Sequence, residues 1–289
     1  MRVLRGKEVR NRIFKDIEVQ IKNFEDSPRL LSIVIGDDPA SVAYSNAKGR
    51  KAAALGVMFK CLNINEKTSQ EDAEGIIKDE IKNFDPDGII IETPVPGHLD
   101  FVRLTNLIPP YADVDCQRMD NLGRLLSGNP LYIPATPGAV LEILKHYDIE
   151  TEGKDIVIVG RSMTVGMPLS VLLLRKSSSA NATVTVCHSR TKNLREHSKR
   201  ADILIVAAGR PGLIDAEMTS PKSIIIDVGT NYIDGKLVGD VDFESISEKV
   251  SAATPVPGGV GPVTTAFLLK NLVYAYERKR NKIKHGAGL

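Results

Sequence analysis

Short apolar runs alternate with longer amphipathic stretches along the whole chain. Several runs are continuously apolar and rich in β-branched side chains, which is typical of strands that a parallel sheet buries on both faces. The longer stretches repeat their apolar residues at helical spacing. The predicted strands are residues 30–35, 57–64, 88–91, 155–159, 183–187, 203–207 and 224–228, and the predicted helices are residues 40–55, 70–84, 138–146, 167–174 and 263–278.

This alternation predicts right-handed βαβ units, and therefore an α/β fold built on parallel sheets. The 289 residues are enough for two domains. Turn-forming residues at 127–130 (Ser-Gly-Asn-Pro) and a stiff connector at 134–138 place a boundary near residues 127–140.

The motif Thr-Pro-Val-Pro-Gly occurs at residues 93–97 and again at residues 254–258. Each copy adjoins a strand, so both would suit rigid loops at the carboxyl edge of a sheet, where ligands bind in α/β folds. On spacing alone, two ordinary proline turns are the favoured interpretation.

Composition and charge narrow the class of protein. Hydrophobic residues make up 42% and charged residues 26% of the chain, which is typical of a globular enzyme and excludes a disordered chain. The net charge of +2 provides no global field for nucleic acid or an anionic membrane. A basic run near the C-terminus is interpreted as a solvated, frayed tail rather than a nucleic-acid patch, because no aromatic residue interleaves it. This run consists of Arg278, Lys279, Arg280, Lys282 and Lys284.

Cysteine spacing and the N-terminus indicate the compartment. Cys61, Cys116 and Cys187 lie far apart, so they predict neither a disulfide framework nor a zinc site and suit a reducing cytosol. Residues 1–7 lack the apolar core of a signal peptide, and no apolar run approaches membrane-spanning length. We therefore expect a soluble cytoplasmic protein without a metal and without a membrane or nucleic-acid partner.

The second half opens with a buried strand that runs into a glycine turn. Gly160 would permit the tight turn, Gly166 a close backbone approach, and Pro168 suits the first turn of a helix. The start of that helix would offer N–H groups and a partial positive charge to a phosphate. Ser162 takes the place of the middle glycine in the dinucleotide fingerprint, so a nucleotide site is favoured over a plain turn only by a modest margin.

The next strand indicates which dinucleotide would bind. NAD sites usually place Asp or Glu at the end of this strand, and residues 186–191 contain neither. Arg161 and Arg190, with the hydroxyls of Ser162 and Ser189, would instead hold a 2′-phosphate through charge-assisted bonds. The sequence therefore predicts NADP, with a solvated polar loop as the alternative.

Candidate catalytic residues lie in the first half. Tyr44 and Lys48 are four residues apart on a predicted helix, so an aromatic ring and an ammonium would share one face. The pattern alone favours a half-buried tyrosine beside a solvated lysine. Glu92 ends a strand, and Asp113 and Asp115 lie in a loop. Such acids are usually solvated and would matter only if they converged with Lys48.

Together, these motifs resemble the methylenetetrahydrofolate dehydrogenase/cyclohydrolase family over nearly the whole chain. The run at residues 254–264 is highly specific. The resemblance is carried by residues 44–48 (Tyr-Ser-Asn-Ala-Lys), 113–115 (Asp-Val-Asp), 134–137 (Pro-Ala-Thr-Pro), 159–168, 187–189 (Cys-His-Ser), 239–241 (Gly-Asp-Val) and 254–264 (Thr-Pro-Val-Pro-Gly-Gly-Val-Gly-Pro-Val-Thr).

The resemblance implies an α/β protein with a cleft between a parallel-sheet catalytic domain and a Rossmann-type NADP-binding domain, usually as a homodimer. It places the folate-binding catalytic domain at residues 1–137, the Rossmann domain at 138–262, and a C-terminal helix that returns to the catalytic domain at 263–289. It also implies NADP-dependent oxidation of 5,10-methylenetetrahydrofolate to 5,10-methenyltetrahydrofolate. Hydrolysis to 10-formyltetrahydrofolate would follow, in the one-carbon metabolism that serves purine biosynthesis.

The resemblance assigns roles to residues as well. It implies that Tyr44 stacks on the folate, that Lys48 is the main catalytic group and that Asp115 anchors the pterin. Further contacts to the folate are expected from Pro257, Gly258 and Gly259, and contacts to the cofactor from Gly160, Arg161, Ser162, Ser189 and Thr230.

Three positions depart from the family. Glu92 stands where the family usually has Gln, and Thr230 where it commonly has Ile. The family also usually follows the second aspartate with Gly, where this chain has Cys116-Gln117-Arg118. A carboxylate beside Lys48 would favour the charged ammonium. Hydride transfer needs no proton relay, whereas hydrolysis needs a group that exchanges protons with water and the departing nitrogen. The alternative function is therefore a dehydrogenase with weak cyclohydrolase activity.

Two other hypotheses remain open at this point. A Rossmann dehydrogenase for another small substrate would bind no reduced folate and would oxidise an amino or hydroxy acid. A non-catalytic nucleotide sensor would give no change in nicotinamide absorbance with folate and NADP.

Overall fold

The elements alternate between strand and helix along most of the chain in a computed structural model, which describes residues 1–177 and 179–284 but not the side chains of 39–41, 43 and 282–284. The strands are β1 (Arg2–Val3), β2 (Arg29–Ile35), β3 (Met58–Ile64), β4 (Gly88–Ile91), β5 (Asp155–Val159), β6 (Thr183–Cys187), β7 (Ile203–Val206), β8 (Ile224–Asp227), β9 (Asn231–Ile233), β10 (Lys236–Val238) and β11 (Ala252–Ala253). The helices are α1 (Gly6–Ile21), α2 (Pro39–Ala54), α3 (Gln70–Phe84), α4 (Phe101–Thr105), α5 (Met119–Leu126), α6 (Ala135–His146), α7 (Gly166–Leu174), α8 (Leu194–Lys199), α9 (Phe243–Ile246) and α10 (Val260–Lys284).

The chain divides into two compact units, which confirms the two-domain α/β architecture. Unit 1 comprises Met1–Arg12 and Pro134–Phe267, and unit 2 comprises Ile13–Ile133 and Leu268–Leu289. The functional segments 1–137, 138–262 and 263–289 stay a prediction, and residues 285–289 of the last one lie outside the described residues.

Unit 2 contains a parallel sheet in the order β3-β2-β4. All four residues of β4 are buried, as the run Gly-Ile-Ile-Ile predicts. Gly49 lets α2 pack closely on this sheet, since a Cβ there would lie 2.5 Å from the ring of Phe59 in β3. The core under the sheet includes Leu31, Ile33 and Ile77.

Unit 1 contains a six-stranded sheet in the order β1-β11-β8-β7-β5-β6, in which every pairing is parallel. The strands β9 and β10 form a separate antiparallel pair. Because the strands of the large sheet run in one direction, the segments that follow β5, β6, β7 and β8 emerge at its carboxyl edge.

The basic run near the C-terminus is not the frayed tail that the sequence predicted. Helix α10 continues to Lys284, and the side chain of Lys279 is 3% exposed. Its ammonium donates to Oδ1 of Asp85 at 2.7 Å. Arg280 lies 3.5 Å from the buried carboxylate of Asp87. All five residues of the run thus belong to helix α10, and Lys279 and Arg280 form ion pairs.

Within the described part of the chain, no helix is both long enough and apolar enough to cross a membrane.

Candidate active site

A buried ion pair lies at the carboxyl end of the sheet in unit 2. Lys48 comes from α2, which follows β2, and Glu92 comes directly after β4. The lysine Nζ lies 2.5 Å from Oε1 and 2.7 Å from Oε2 of Glu92, and the two side chains are 3% and 7% exposed. The expectation that Lys48 is solvated is wrong, because the parallel pairing of β2 and β4 brings Glu92 to it.

Tyr44 completes this cluster. The ammonium of Lys48 lies 4.5 Å from the centroid of the Tyr44 ring, as the spacing of four residues on one helix predicts. The tyrosine side chain is 41% exposed. The cluster therefore presents an accessible aromatic surface. Beside it lies a buried ammonium whose charge is balanced by Glu92.

Two serines that the sequence did not identify hold the carboxylate. Ser32 Oγ donates to Oε1 of Glu92 at 2.6 Å, and Ser45 Oγ lies 2.9 Å from Ser32 Oγ. Both serines are 0% exposed. Since the hydroxyl hydrogen of Ser32 goes to the carboxylate, Ser45 donates to Ser32. A hydroxyl in the middle of the apolar run 30–35 was the available signal.

The loop with Asp113 and Asp115 lies along β4. Asp113 is buried, and its carboxylate accepts from the backbone N–H of Gln117 at 2.8 Å and from Nδ2 of Asn121 at 2.7 Å. Burial raises the pKa of Asp113, and these hydrogen bonds oppose the shift. Asp115 is half-buried in the turn that follows. Its predicted role as the pterin anchor stays a prediction.

The backbone explains why glycine is expected at Cys116. This residue has φ 54°, in the left-handed region that favours glycine. Its side chain is nevertheless buried, and burial raises the pKa of the thiol. Cys116 is therefore a packed side chain and an unreactive thiol.

The glycine turn of unit 1 fits a dinucleotide phosphate. Gly160 has φ 137°, and a Cβ there would lie 2.2 Å from the carbonyl oxygen of Ala207. A Cβ on Gly166 would lie 2.0 Å from the carbonyl oxygen of Gly160. Both glycines are thus required by the closeness of the backbone. The hydroxyl of Ser162 accepts from Val165 N–H at 3.1 Å, so Ser162 organises the turn.

The polar residues predicted to recognise the 2′-phosphate follow two adjacent strands. Arg161 and Ser162 follow β5, and Ser189 and Arg190 follow β6, which pairs with β5. All four side chains are exposed. Their placement at one edge suits a phosphate ligand. Thr230, also exposed, follows β8 at the same edge.

Two buried aspartates that the sequence did not assign shape this edge. The Asp240 carboxylate accepts from the N–H groups of Ala208 and Gly209 at 2.6 and 2.9 Å, and from Nδ2 of Asn231 at 2.9 Å. It therefore ties the loop after β7 to the segment after β8. Burial raises the pKa of Asp227 to about 7, although the carboxylate accepts from several backbone N–H groups.

The predicted folate contacts Pro257, Gly258 and Gly259 lie in unit 1 between β11 and α10. Gly258 has φ 104° and accepts at its carbonyl from Gly6 N–H at 2.8 Å. A Cβ on Gly6 would lie 2.0 Å from the carbonyl oxygen of Gly259. The turn is therefore packed against the start of α1, and its contact with a folate stays a prediction.

Comparisons with known proteins match both halves of the chain. The catalytic domain of the family described as tetrahydrofolate dehydrogenase/cyclohydrolase matches residues 4–115, and the NAD(P)-binding domain of that family matches residues 134–280. The bifunctional protein FolD of Caldanaerobacter subterraneus subsp. tengcongensis is 44% identical over 277 residues, which cover 95% of this chain and 96% of that relative.

Solved structures agree with these matches. The bifunctional FolD methylenetetrahydrofolate dehydrogenase/cyclohydrolase from Campylobacter jejuni superposes with a TM-score of 0.89 at 37% identity, covering 96% of this chain and 99% of that one. The Trypanosoma brucei enzyme, solved with NADP cofactor and an inhibitor, gives 0.89 at 33% identity over 96% of this chain and 98% of its own. The chain therefore belongs to the tetrahydrofolate dehydrogenase/cyclohydrolase family, as the resemblance in its sequence predicts.

Proposed function

We propose that the protein oxidises 5,10-methylenetetrahydrofolate with NADP and then hydrolyses the methenyl product to 10-formyltetrahydrofolate. The observation that carries this proposal is the buried Lys48–Glu92 pair beside the accessible ring of Tyr44. The two solved structures above are named for both activities, which favours the bifunctional enzyme over the dehydrogenase-only alternative. It also favours a folate substrate over the other small substrates considered for a Rossmann enzyme.

In the oxidation step, Tyr44 would stack on the flat ring of the folate, and Asp115 would hold the pterin. NADP, when bound, accepts a hydride from the methylene carbon. Loss of the hydride leaves a positive charge on the methenyl group. An unpaired ammonium nearby would repel this charge, but Glu92 balances Lys48, so the pair is neutral overall.

In the hydrolysis step, water adds to the methenyl carbon, the bond from that carbon to N5 breaks, and one proton is released overall. Lys48 is the group positioned to take a proton from the water and to return one to the departing nitrogen. It acts in this way only as the neutral amine. Lys48 has to leave its contacts with Glu92, at 2.5 and 2.7 Å, to reach the water and the nitrogen, so we expect Glu92 to slow hydrolysis.

The cofactor would lie at the carboxyl edge of the large sheet. The turn at Gly160 would contact its phosphates, and Arg161, Arg190 and Ser189 would hold the 2′-phosphate. We also propose that the protein is a cytoplasmic homodimer that supplies one-carbon units for purine synthesis. Its three cysteines are free, which suits a reducing compartment.

A coupled assay tests the catalytic proposal. Reduced nicotinamide should appear with methylenetetrahydrofolate and NADP, and methenyl absorbance should fall when methenyltetrahydrofolate is supplied alone. Lys48→Met should lose hydrolysis. The matched control is Lys60→Met, because the half-exposed Lys60 forms an ion pair with Glu80 at 2.7 Å and lies 5.6 Å from the Phe84 ring centroid in the same unit. An equal loss in both variants, or no reaction of the unmodified protein with either folate, contradicts the proposal.

A further inference from the structure

Glu92 directly follows β4, a strand at the edge of its sheet. In the order β3-β2-β4, β4 is the last strand and pairs with β2. The N–H of Glu92 donates to the carbonyl oxygen of Ile33 in β2 at 2.8 Å. Because the hydrogen-bonding directions of successive residues alternate along a strand, the N–H and C=O of Ile91 point to the other side, away from β2.

The side chain of Gln117 occupies that other side. Its Oε1 accepts from Ile91 N–H at 2.9 Å, and its Nε2 donates to the Ile91 carbonyl oxygen at 2.8 Å. Gln117 is 6% exposed, so water does not substitute for these bonds. One side-chain amide thus pairs with both backbone groups of Ile91, as a residue of a neighbouring strand would.

The main chain of the loop holds Gln117 in this place. Asp113 forms an isolated parallel bridge with Ile89 of β4, which starts the loop alongside the strand. The buried carboxylate of Asp113 then accepts from the backbone N–H of Gln117 at 2.8 Å. Asp115 lies in the sequence between Asp113 and Gln117, and both of these residues are held by hydrogen bonds.

We propose that Gln117 is a positioning residue for both reactions, an inference that rests on the proposed function. The Ile91 carbonyl and the Glu92 N–H belong to one planar peptide group. Gln117 holds this group from one side and Ile33 holds it from the other. Gln117 thereby fixes the direction in which the Glu92 side chain reaches Lys48. It also holds the loop that contains Asp115 against the end of β4.

The test replaces Gln117 by Met, which keeps the size of the side chain and removes both hydrogen bonds. Gln117→Asn is the second variant, because it keeps a buried amide that is one methylene too short to reach both partners. Gln70→Met is the matched control, since Gln70 accepts from Asp100 N–H at 2.7 Å and donates to Glu74 at 2.9 Å in the same unit.

Rates are measured for both reactions and divided by the number of NADP-binding sites, obtained by titration with NADP. This division corrects for chains in which unit 1, with the predicted cofactor residues, is misfolded, and the thermal unfolding curve of each variant shows whether unit 2 is folded. We expect kcat to fall roughly ten- to hundredfold in both Gln117 variants, more for hydrolysis than for oxidation. KM for folate should change less, and the Gln70 variant should keep both kcat values.

The outcomes separate the two proposals. Lower thermal stability with unchanged kcat per NADP site would show a purely structural role and overturn the inference. An equal loss of kcat in the Gln70 variant would overturn it as well. An unmodified protein without either activity would refute the proposed function itself, whereas an active one with fully active Gln117 variants refutes only the role of Gln117.

Discussion

Replacing Glu92 by Gln tests how the carboxylate controls the two reactions. The amide keeps the size of the side chain, a carbonyl oxygen that can accept from Lys48, and a group that can bond with Ser32. It removes the negative charge from a pair whose atoms lie 2.5 and 2.7 Å apart with side chains 3% and 7% exposed. The substitution therefore changes charge with little change in packing.

The size of the effect on the two rates follows from the hydrogen bond between Lys48 and residue 92, whose acceptor becomes neutral in the variant. A bond between charged partners exceeds a neutral one by about 1–2 kcal/mol. Losing that stabilisation makes it easier for Lys48 to leave its partner and reach the substrate, by a factor of roughly 5 to 30. Hydrolysis should accelerate by up to that factor. Oxidation should stay equal or slow, because the remaining ammonium would no longer be balanced against the methenyl cation.

The assay compares both rates across a range of pH for the two proteins. Glu80→Gln is the control, because it breaks an ion pair with Lys60 that is 46% exposed on the lysine side. Unfolding of the Glu92→Gln variant is followed separately, so that a change in stability is not mistaken for a change in rate. If Glu92→Gln hydrolyses methenyltetrahydrofolate no faster than the unmodified protein, with the same pH profile, then Glu92 does not control Lys48.

Three further outcomes are expected. Neutralising Arg161 and Arg190 together should weaken the binding of NADP by about 1–3 kcal/mol per lost contact. Binding titrations should show an unchanged affinity for NAD. NAD binding as tightly as NADP to the unmodified protein would contradict this. Tyr44→Ala should weaken folate binding by about 1 kcal/mol beyond the lost area, with Tyr44→Phe as the control that keeps the ring. An equal loss of NADP affinity would instead indicate general destabilisation. Burial, reinforced by the charge of Asp240, raises the pKa of Asp227 to about 7, so the folded state binds this proton more tightly than the unfolded chain does. The contribution of Asp227 to the free energy of unfolding should therefore fall as pH rises from about 4 to 7, by at most about 1.4 kcal/mol per pH unit, and level off above that. Urea unfolding of the protein and of Asp227→Asn at several pH values measures the difference, and equal slopes for the two would refute the assignment.

The regular elements of both sheets could be predicted because their signal is local. The bounds 88–91, 155–159 and 183–187 agree with β4, β5 and β6, since each is a short apolar or β-branched run between turn residues. Helix α1 was missed although Val9, Ile13 and Ile17 are spaced at four residues and buried. This spacing is the signal in the sequence that predicts a helix there.

Other features depend on contacts that no local pattern contains. Strands β1 and β11 have two residues each, too few for any periodicity, and they pair residues from opposite ends of the chain. The hydrogen bonds of the Asp240 carboxylate also depend on such contacts. An acid after a glycine is an ordinary loop residue until the backbone N–H groups of Ala208 and Gly209 are brought to it.

The candidate site also combines features with a signal in the sequence and features that depend on the fold. Lys48 and Glu92 could each be named from the family resemblance, but residue type alone favoured a solvated lysine, because an isolated buried ammonium is costly. The cost is offset only when the β2–β4 register brings a carboxylate and the Ser32 hydroxyl to the same place. Gln117 was visible as a departure in the motif after Asp115, yet its role requires knowing which side of β4 faces away from β2. The sequence thus supplies the chemical groups, whereas the sheet order decides which of them are paired and which hold the pair in place.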